Sequence, residues 1–206
     1  MRKLKIFICI LSILLFSLPT FAKDPVAQNF EEIYQGILNN KEFANLGNPE
    51  GQYVIIEFFD YRCSHCKRNR FKISELIQSG QLPNVRWISI ETPIFDKQYN
   101  DMAYLIYAAK KQNKYNELFA KAPTLKNPTI NDIEKFAKEL ELDLTQLWKD
   151  ATEASKSDVF ESNIKLFSLF NFSAVPLMIL DKKIYYGGLS EKAIQRVIKD
   201  SNNKSK

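Results

Sequence analysis

The 206-residue chain is 45% hydrophobic and 26% charged, with 29 Lys or Arg against 24 Asp or Glu and a formal net charge of +5. Arg2, Lys3 and Lys5 supply three of those five charges, so a chain without its first 22 residues carries +2, and its basic residues mostly interleave with Glu and Asp. That excludes the concentrated basic face of a nucleic-acid binder. The roughly 184 residues left are also enough to build a core without a covalent staple.

Residues 1–22 read as a secretory signal peptide. Arg2, Lys3 and Lys5 precede an apolar run from Ile6 to Leu18, and Thr20 and Ala22 supply small residues for cleavage after Ala22. The run is short for a membrane span, with a retained anchor as the alternative. Cys9 follows Ile8 inside this run, which does not suit lipid attachment, and it is expected to leave with the signal. The remaining cysteines are Cys63 and Cys66.

Residues 24–40 have a helical stripe in Val26, Phe30, Ile33, Ile37 and Leu38. Residues 47–51, Gly-Asn-Pro-Glu-Gly, form a turn cluster. Residues 53–59 are apolar on both faces except at Glu57, as in a buried strand. A helix is expected from about Ser64 to Gln78, ended by Gly80 and Pro83, and a second strand over 84–90. Strand, helix, strand implies a parallel pair joined by a crossover.

From about Asp96 to Phe170 the periodicity is helical throughout. Met102, Leu105, Ile106 and Ala109 mark one helix, and Tyr115, Leu118 and Phe119 a short second one. Thr129 opens a third. Asp143 and Thr145 are candidate caps for a fourth, and Ser157–Phe170 is the fifth. Strands return at Leu177–Leu180 and Lys183–Tyr186 as a hairpin. Ser190 caps a last helix that buries Ala193, Ile194, Val197 and Ile198, and the tail from Ser201 reads as frayed. The fold class is therefore α/β: a thioredoxin-like unit from 23–95 and 171–202, interrupted by an inserted all-helical domain over 96–170.

Chemistry concentrates at Cys63-Ser64-His65-Cys66, directly after the first long strand. Cysteines at a helix start see free N–H groups and the positive end of the helix, which favour thiolate over thiol. Cys63 is the expected nucleophile and Cys66 the shielded, resolving thiol. A static disulfide is the bland alternative, but so small a loop constrains little of the unfolded chain. His65, the only histidine, stands where it can stabilise the thiolate. Zinc held by Cys63, His65 and Cys66 lacks a fourth ligand, so no cofactor is expected beyond a redox-active Cys63–Cys66 disulfide. Glu57, a carboxylate in an apolar strand, is a candidate proton relay to Cys66, or else lies at an exposed strand edge. Pro176 opens the late apolar strand, where a cis bond after Val175 would turn backbone groups toward a substrate. Lys67 and Arg68 either add positive potential near Cys63 or form a solvated helix face.

The run from Glu57 to Lys67, together with Ala174-Val175-Pro176, resembles the DsbA family of bacterial periplasmic thiol:disulfide oxidoreductases. The resemblance implies an exposed nucleophile at Cys63, a buried resolving Cys66, a thiolate-stabilising His65, a buried acid at Glu57, and a cis-proline pair Val175-Pro176 facing the dithiol. Ser64 departs from the proline of the familiar Cys-Pro-His-Cys form, and valine before Pro176 is similar to the oxidase members. The implied activity is disulfide donation to reduced exported proteins in the periplasm, with a DsbB-like, quinone-linked membrane reoxidase as partner. A monomer is expected; known dimeric isomerases of this kind carry an extra N-terminal dimerisation domain, and the stretch before Tyr53 is too short for one, which weighs against the isomerase alternative. An isomerase or reductase, or a secreted surface-associated binding protein with a secondary redox site, are the alternatives.

Overall fold

The computed structural model describes residues 25–95 and 100–203. The expected signal peptide and Cys9 lie outside the described residues.

The strands β1 (Ala44–Gly47), β2 (Tyr53–Phe59), β3 (Val85–Glu91), β4 (Leu177–Leu180) and β5 (Lys183–Tyr186) form one sheet in the order β1-β3-β2-β4-β5. β2 pairs parallel with β3, and all other neighbours are antiparallel. β2 is central and buried along its whole length, as its apolar run on both faces requires. The hairpin partner β5 is the exposed edge, with Lys183 and Tyr186 turned to solvent. Helices α1 (Pro25–Asn39), α2 (Ser64–Gln78) and α8 (Glu191–Asn203) belong to this α/β unit. The chain therefore has a thioredoxin-like core, as the strand–helix–strand and hairpin patterns predict.

The helical insert comprises α3 (Asp101–Ala108), α4 (Tyr115–Lys121), α5 (Ile130–Glu139), α6 (Leu144–Ser155) and α7 (Glu161–Ser168). α5 opens with a reciprocal capping box between Thr129 and Asp132. α6 is capped by Asp143 alone, not Thr145. α3 packs on α6. The insert is fastened to the sheet by aromatic contacts: Phe167 and Phe170 lie 5.6 and 5.3 Å from the Phe58 ring, and Phe119 lies 5.8 Å from Phe59.

Four expectations are corrected. β1 is a strand that the sequence pattern did not reveal, because Ala-Asn-Leu-Gly is too short to establish alternation. It is held by Arg86 of β3, whose Nε donates to Asn45 Oδ1 (2.8 Å) and whose Nη2 donates to the Leu38 carbonyl near the end of α1 (2.8 Å). β3 runs one residue further than expected and includes Glu91. The helix expected over Ser157–Phe170 is confined to Glu161–Ser168. At the C-terminus, α8 continues through Ser201, which is buried, so Ser201 is not frayed tail.

Two glycines mark opposite situations. A Cβ on Gly51 would lie 2.6–2.7 Å from the backbone of Asn84, Val85 and Arg86, where the turn before β2 abuts β3. Gly36 lies on the exposed side of α1 with open space around it. Gly51→Ala is expected to destabilise the protein by about 2 kcal/mol or more, while Gly36→Ala should stabilise it by about 0.5–1 kcal/mol. Urea unfolding midpoints of the two variants check both signs.

Candidate active site

The site forms where β2 ends and α2 begins. Asp60 follows β2, is fully buried, and organises the intervening turn. Its Oδ1 accepts from the Arg62 N–H (2.8 Å) and from Asn100 Nδ2 (2.9 Å), and its Oδ2 accepts from the Phe95 N–H (3.3 Å). This is the local side-chain-to-backbone turn that aspartate favours. The Asp60 carbonyl then accepts from the Cys63 N–H (3.0 Å), fixing the start of α2.

Cys63 is the N-cap of α2. Its backbone is extended, its carbonyl accepts from the Lys67 N–H (3.0 Å), and its sulfur accepts from the Cys66 N–H (3.3 Å). The thiol thus occupies the place that a serine or aspartate oxygen takes in ordinary caps. Both cysteines are free thiols in this structure. On the other side, Cys63 Sγ donates to the Val175 carbonyl at 3.4 Å, and the Val175–Pro176 peptide is cis. The turn before β4 therefore meets the N-terminus of α2 at the sulfur itself. Expected as exposed, Cys63 is instead mostly covered: it is 6% exposed, because the Val175 turn lies against it, while Cys66 is wholly buried.

The two thiols are electrostatically unequal. Burial pushes the Cys66 thiol well up, and its hydrogen bond with Cys63 adds to this. A backbone hydrogen bond at Asp60 opposes the rise, and the Glu57 charge reinforces it. Cys66 is therefore a proton-holding thiol, whereas the Cys63 sulfur receives an N–H at a helix N-terminus.

Glu57 is fully buried in β2 and not at a strand edge. Its Oε2 accepts from Arg70 Nη1 (3.0 Å) and from Ser89 Oγ (3.1 Å), and Arg70 also donates to Ser89 Oγ. Burial raises the Glu57 carboxyl above its usual range, while Arg70 and Ser89 pull it back. Arg70, 2% exposed, lies on α2 with its guanidinium 3.7 Å from the Phe59 ring centre and 5.0–5.6 Å from those of Phe119, Trp87 and Tyr61.

Sequence reasoning missed Arg70, Asp60, Ser89 and Glu91. Arg70 had a readable signal. Cys66, Arg70 and Ile73 fall at i, i+4 and i+7, which places an arginine on the buried stripe of α2. His65 is exposed, and its Nδ1 accepts from an Arg68 Nη at 2.9 Å. Among the described residues no cluster of three or more His, Cys, Asp or Glu could hold a metal ion.

A family profile described as thioredoxin matches residues 39–200. No curated protein sequence matches the chain. Among solved structures, a thioredoxin-like oxidoreductase from Silicibacter pomeroyi is 24% identical, with a TM-score of 0.61 and coverage of 82% of this chain and 97% of the other. The thiol-disulfide exchange protein alpha-DsbA2 from Wolbachia pipientis is 19% identical, with a TM-score of 0.63 and coverage of 85% and 95%. A periplasmic thioredoxin-like protein from Salmonella enterica serovar Typhimurium is 16% identical, with a TM-score of 0.59 and coverage of 82% and 95%. At these identities the structures establish a common fold. The chain belongs to the thioredoxin family, and its helical insert gives it the DsbA-like form of that fold.

Proposed function

We propose that this protein is an exported thiol:disulfide oxidoreductase that donates the Cys63–Cys66 disulfide to reduced proteins in the periplasm. The observation that carries the reading is the contrast between the two cysteines. Cys63 Sγ caps α2 and accepts the Cys66 N–H, while Cys66 is wholly buried with its thiol pushed up. A static staple has no use for that difference. An exchange site needs a thiolate that leaves readily and a partner that returns to the neutral thiol.

In the proposed cycle a substrate thiolate attacks Cys63 Sγ of the oxidised pair. The Cys63–Cys66 bond breaks, its electron pair leaves on Cys66, and Cys66 takes up a proton. A second substrate thiolate then attacks the substrate sulfur of the mixed disulfide. The substrate disulfide forms and Cys63 departs as a thiolate, held by the Cys66 N–H and the helix N-terminus. The protein gains two electrons and one proton, and the substrate loses two electrons and two protons, the second proton going to solvent. Glu57 is the proposed donor and acceptor for Cys66. It is buried, and its charge acts on the Cys66 thiol.

Val175 and Pro176 are the proposed substrate platform, because the Val175 carbonyl already faces Cys63 Sγ and an extended peptide can use such groups in place of a fixed side chain. The role proposed for His65 is to stabilise the thiolate from the solvent side of the motif. The N-terminal signal pattern and the periplasmic description of the Salmonella structure support export. Among the described residues no helix is long and apolar enough to cross a membrane. Reoxidation falls to a quinone-linked membrane partner resembling DsbB.

Cys66→Ser incubated with a disulfide-bonded peptide should retain half of it as a mixed disulfide on Cys63, detected by mass spectrometry without reductant. Cys63→Ser should retain none, and equal trapping by both variants would overturn the assignment of roles. The reduced protein should also outlast the oxidised one in urea, by about 1.5–3 kcal/mol for a hydrogen bond to a charged group. A clearly more stable oxidised form would mark the pair as a staple.

A further inference from the structure

Glu91 is a buried acid that the cycle above leaves without a task. It ends β3, is 2% exposed, and neither carboxylate oxygen has a hydrogen-bond partner. It shares a face of β3 with Ser89, two residues earlier. Ser89 and Glu91 both line a cavity of about 210 Å³. Its walls include Tyr107, Tyr115 and Asn163, and exposed Glu42 lies at its rim. Ser89 is in two places at once. It lines this cavity, and its hydroxyl donates to Glu57. Glu57 itself has no exposure, so the acid beneath the dithiol has no direct contact with bulk water.

The charges make the arrangement specific. Arg70 is a single buried cation whose field acts on both Glu57 and Glu91. Asp60, which also raises Glu91, is already satisfied by three donors. Tyr61 and Tyr115 face Glu91 as neutral phenols held up mainly by burial. Lys110 at the cavity wall is paired with Glu42 at 2.8 Å and lies 5.0 Å from the Tyr107 and Tyr115 rings. Among the described residues Arg70 is the one buried cation beside three buried carboxyls, Glu57, Glu91 and Asp60, so Glu57 and Glu91 together have room for no more than one negative charge and the other acid keeps a proton. Burial lifts Glu91 well above the usual carboxylate range and lifts Glu57 in the same direction.

We propose that Glu57 and Glu91 are one acid pair sharing Arg70, in which Glu91 reloads Glu57 with protons exchanged with water in the cavity. This rests on the proton role given to Glu57 above. When Cys66 leaves as a thiolate, the pair gives it one proton through Glu57 and carries two negative charges. Glu91 then takes a proton from cavity water and returns the pair to one charge. Reoxidation runs the same transfers in reverse, and no electron passes through the pair. Glu91 acts through Glu57, so it is a positioning residue that never touches the reacting sulfurs.

The test is rapid mixing of the oxidised protein with reduced glutathione between about pH 5 and 9, for wild type, Glu57→Gln, Glu91→Gln and Glu91→Asp. Glu57→Gln and Glu91→Gln should each slow reduction by roughly tenfold or more. Glu91→Gln should also flatten the pH profile, and Glu91→Asp should restore its shape. If Glu57→Gln is slow but Glu91→Gln superimposes on wild type, the Glu91 inference fails and the Glu57 role stands. If Glu57→Gln matches wild type, both fail. A slow Glu91→Gln with an unchanged profile shape means a structural role and also overturns the inference.

Two measurements hold should a variant fold poorly. In wild type, carboxyl carbon NMR should show two glutamate signals shifting together when the dithiol is oxidised, and a response from one alone contradicts the pair. Stability supplies the other. Acids raised in the folded state hold protons that the unfolded chain releases above about pH 4.3. Their stabilising effect is complete below that pH and is lost as pH rises through the folded values, so wild-type stability should fall from pH 5 toward 8. Unfolding midpoints that do not fall over that interval would contradict a stored proton.

Discussion

The ion pair between Arg70 and Glu57 is the constraint on which the site depends. Two charges are taken from water into the sheet–helix interface, with 2% and 0% exposure. Removing either partner from such a pair costs about 3–5 kcal/mol, because the other is left buried and uncompensated. The guanidinium is gripped at the same time by Ser89 and by the faces of Phe59, Trp87 and Phe119. These residues come from β2, β3 and α4, so one side chain of α2 reads three other elements. Arg70 therefore sets the rotation of α2, and that rotation presents Cys63 to Val175 and turns Cys66 inward.

From that placement the proposed chemistry follows. A helix rotated this way puts one sulfur at its N-terminal N–H groups and the other in the core four residues before Arg70. The first environment stabilises a negative sulfur and the second penalises it. Disulfide bonding removes both effects at once, since neither sulfur then carries charge. The asymmetry thus belongs to the reduced state, which is the physical basis for the oxidising couple proposed above. The proton role proposed for Glu57 belongs to the same logic, because a sulfur that alternates between thiolate and thiol in a dry core needs a nearby proton.

The sequence made the framework legible where periodicity was strong. The unbroken apolar runs of β2 and β4, and the Cys-x-x-Cys pair at a strand-to-helix junction, pointed directly to the sheet and to the helix start. Glu57 stood out because a carboxylate in such a run needs a partner. The partner did not stand out. Arg70 sits among Lys67, Arg68 and Lys72, and in a basic helix its buried position shows only when the stripe through Cys66 and Ile73 is drawn. Glu91 was obscured at the end of a strand, where one residue decides between core and loop. β1 was too short to carry a pattern, and its pairing with β3 depends on Arg86, a long-range contact that local propensity does not encode.

The most direct test of the account is redox equilibration of the purified protein with glutathione, with the cysteines trapped by alkylation and counted by mass. A dithiol whose reduced form is stabilised by the N-terminus of α2 should equilibrate as an oxidant, at about −200 mV or higher. A Cys63–Cys66 couple below about −300 mV, the range of structural disulfides, would contradict it.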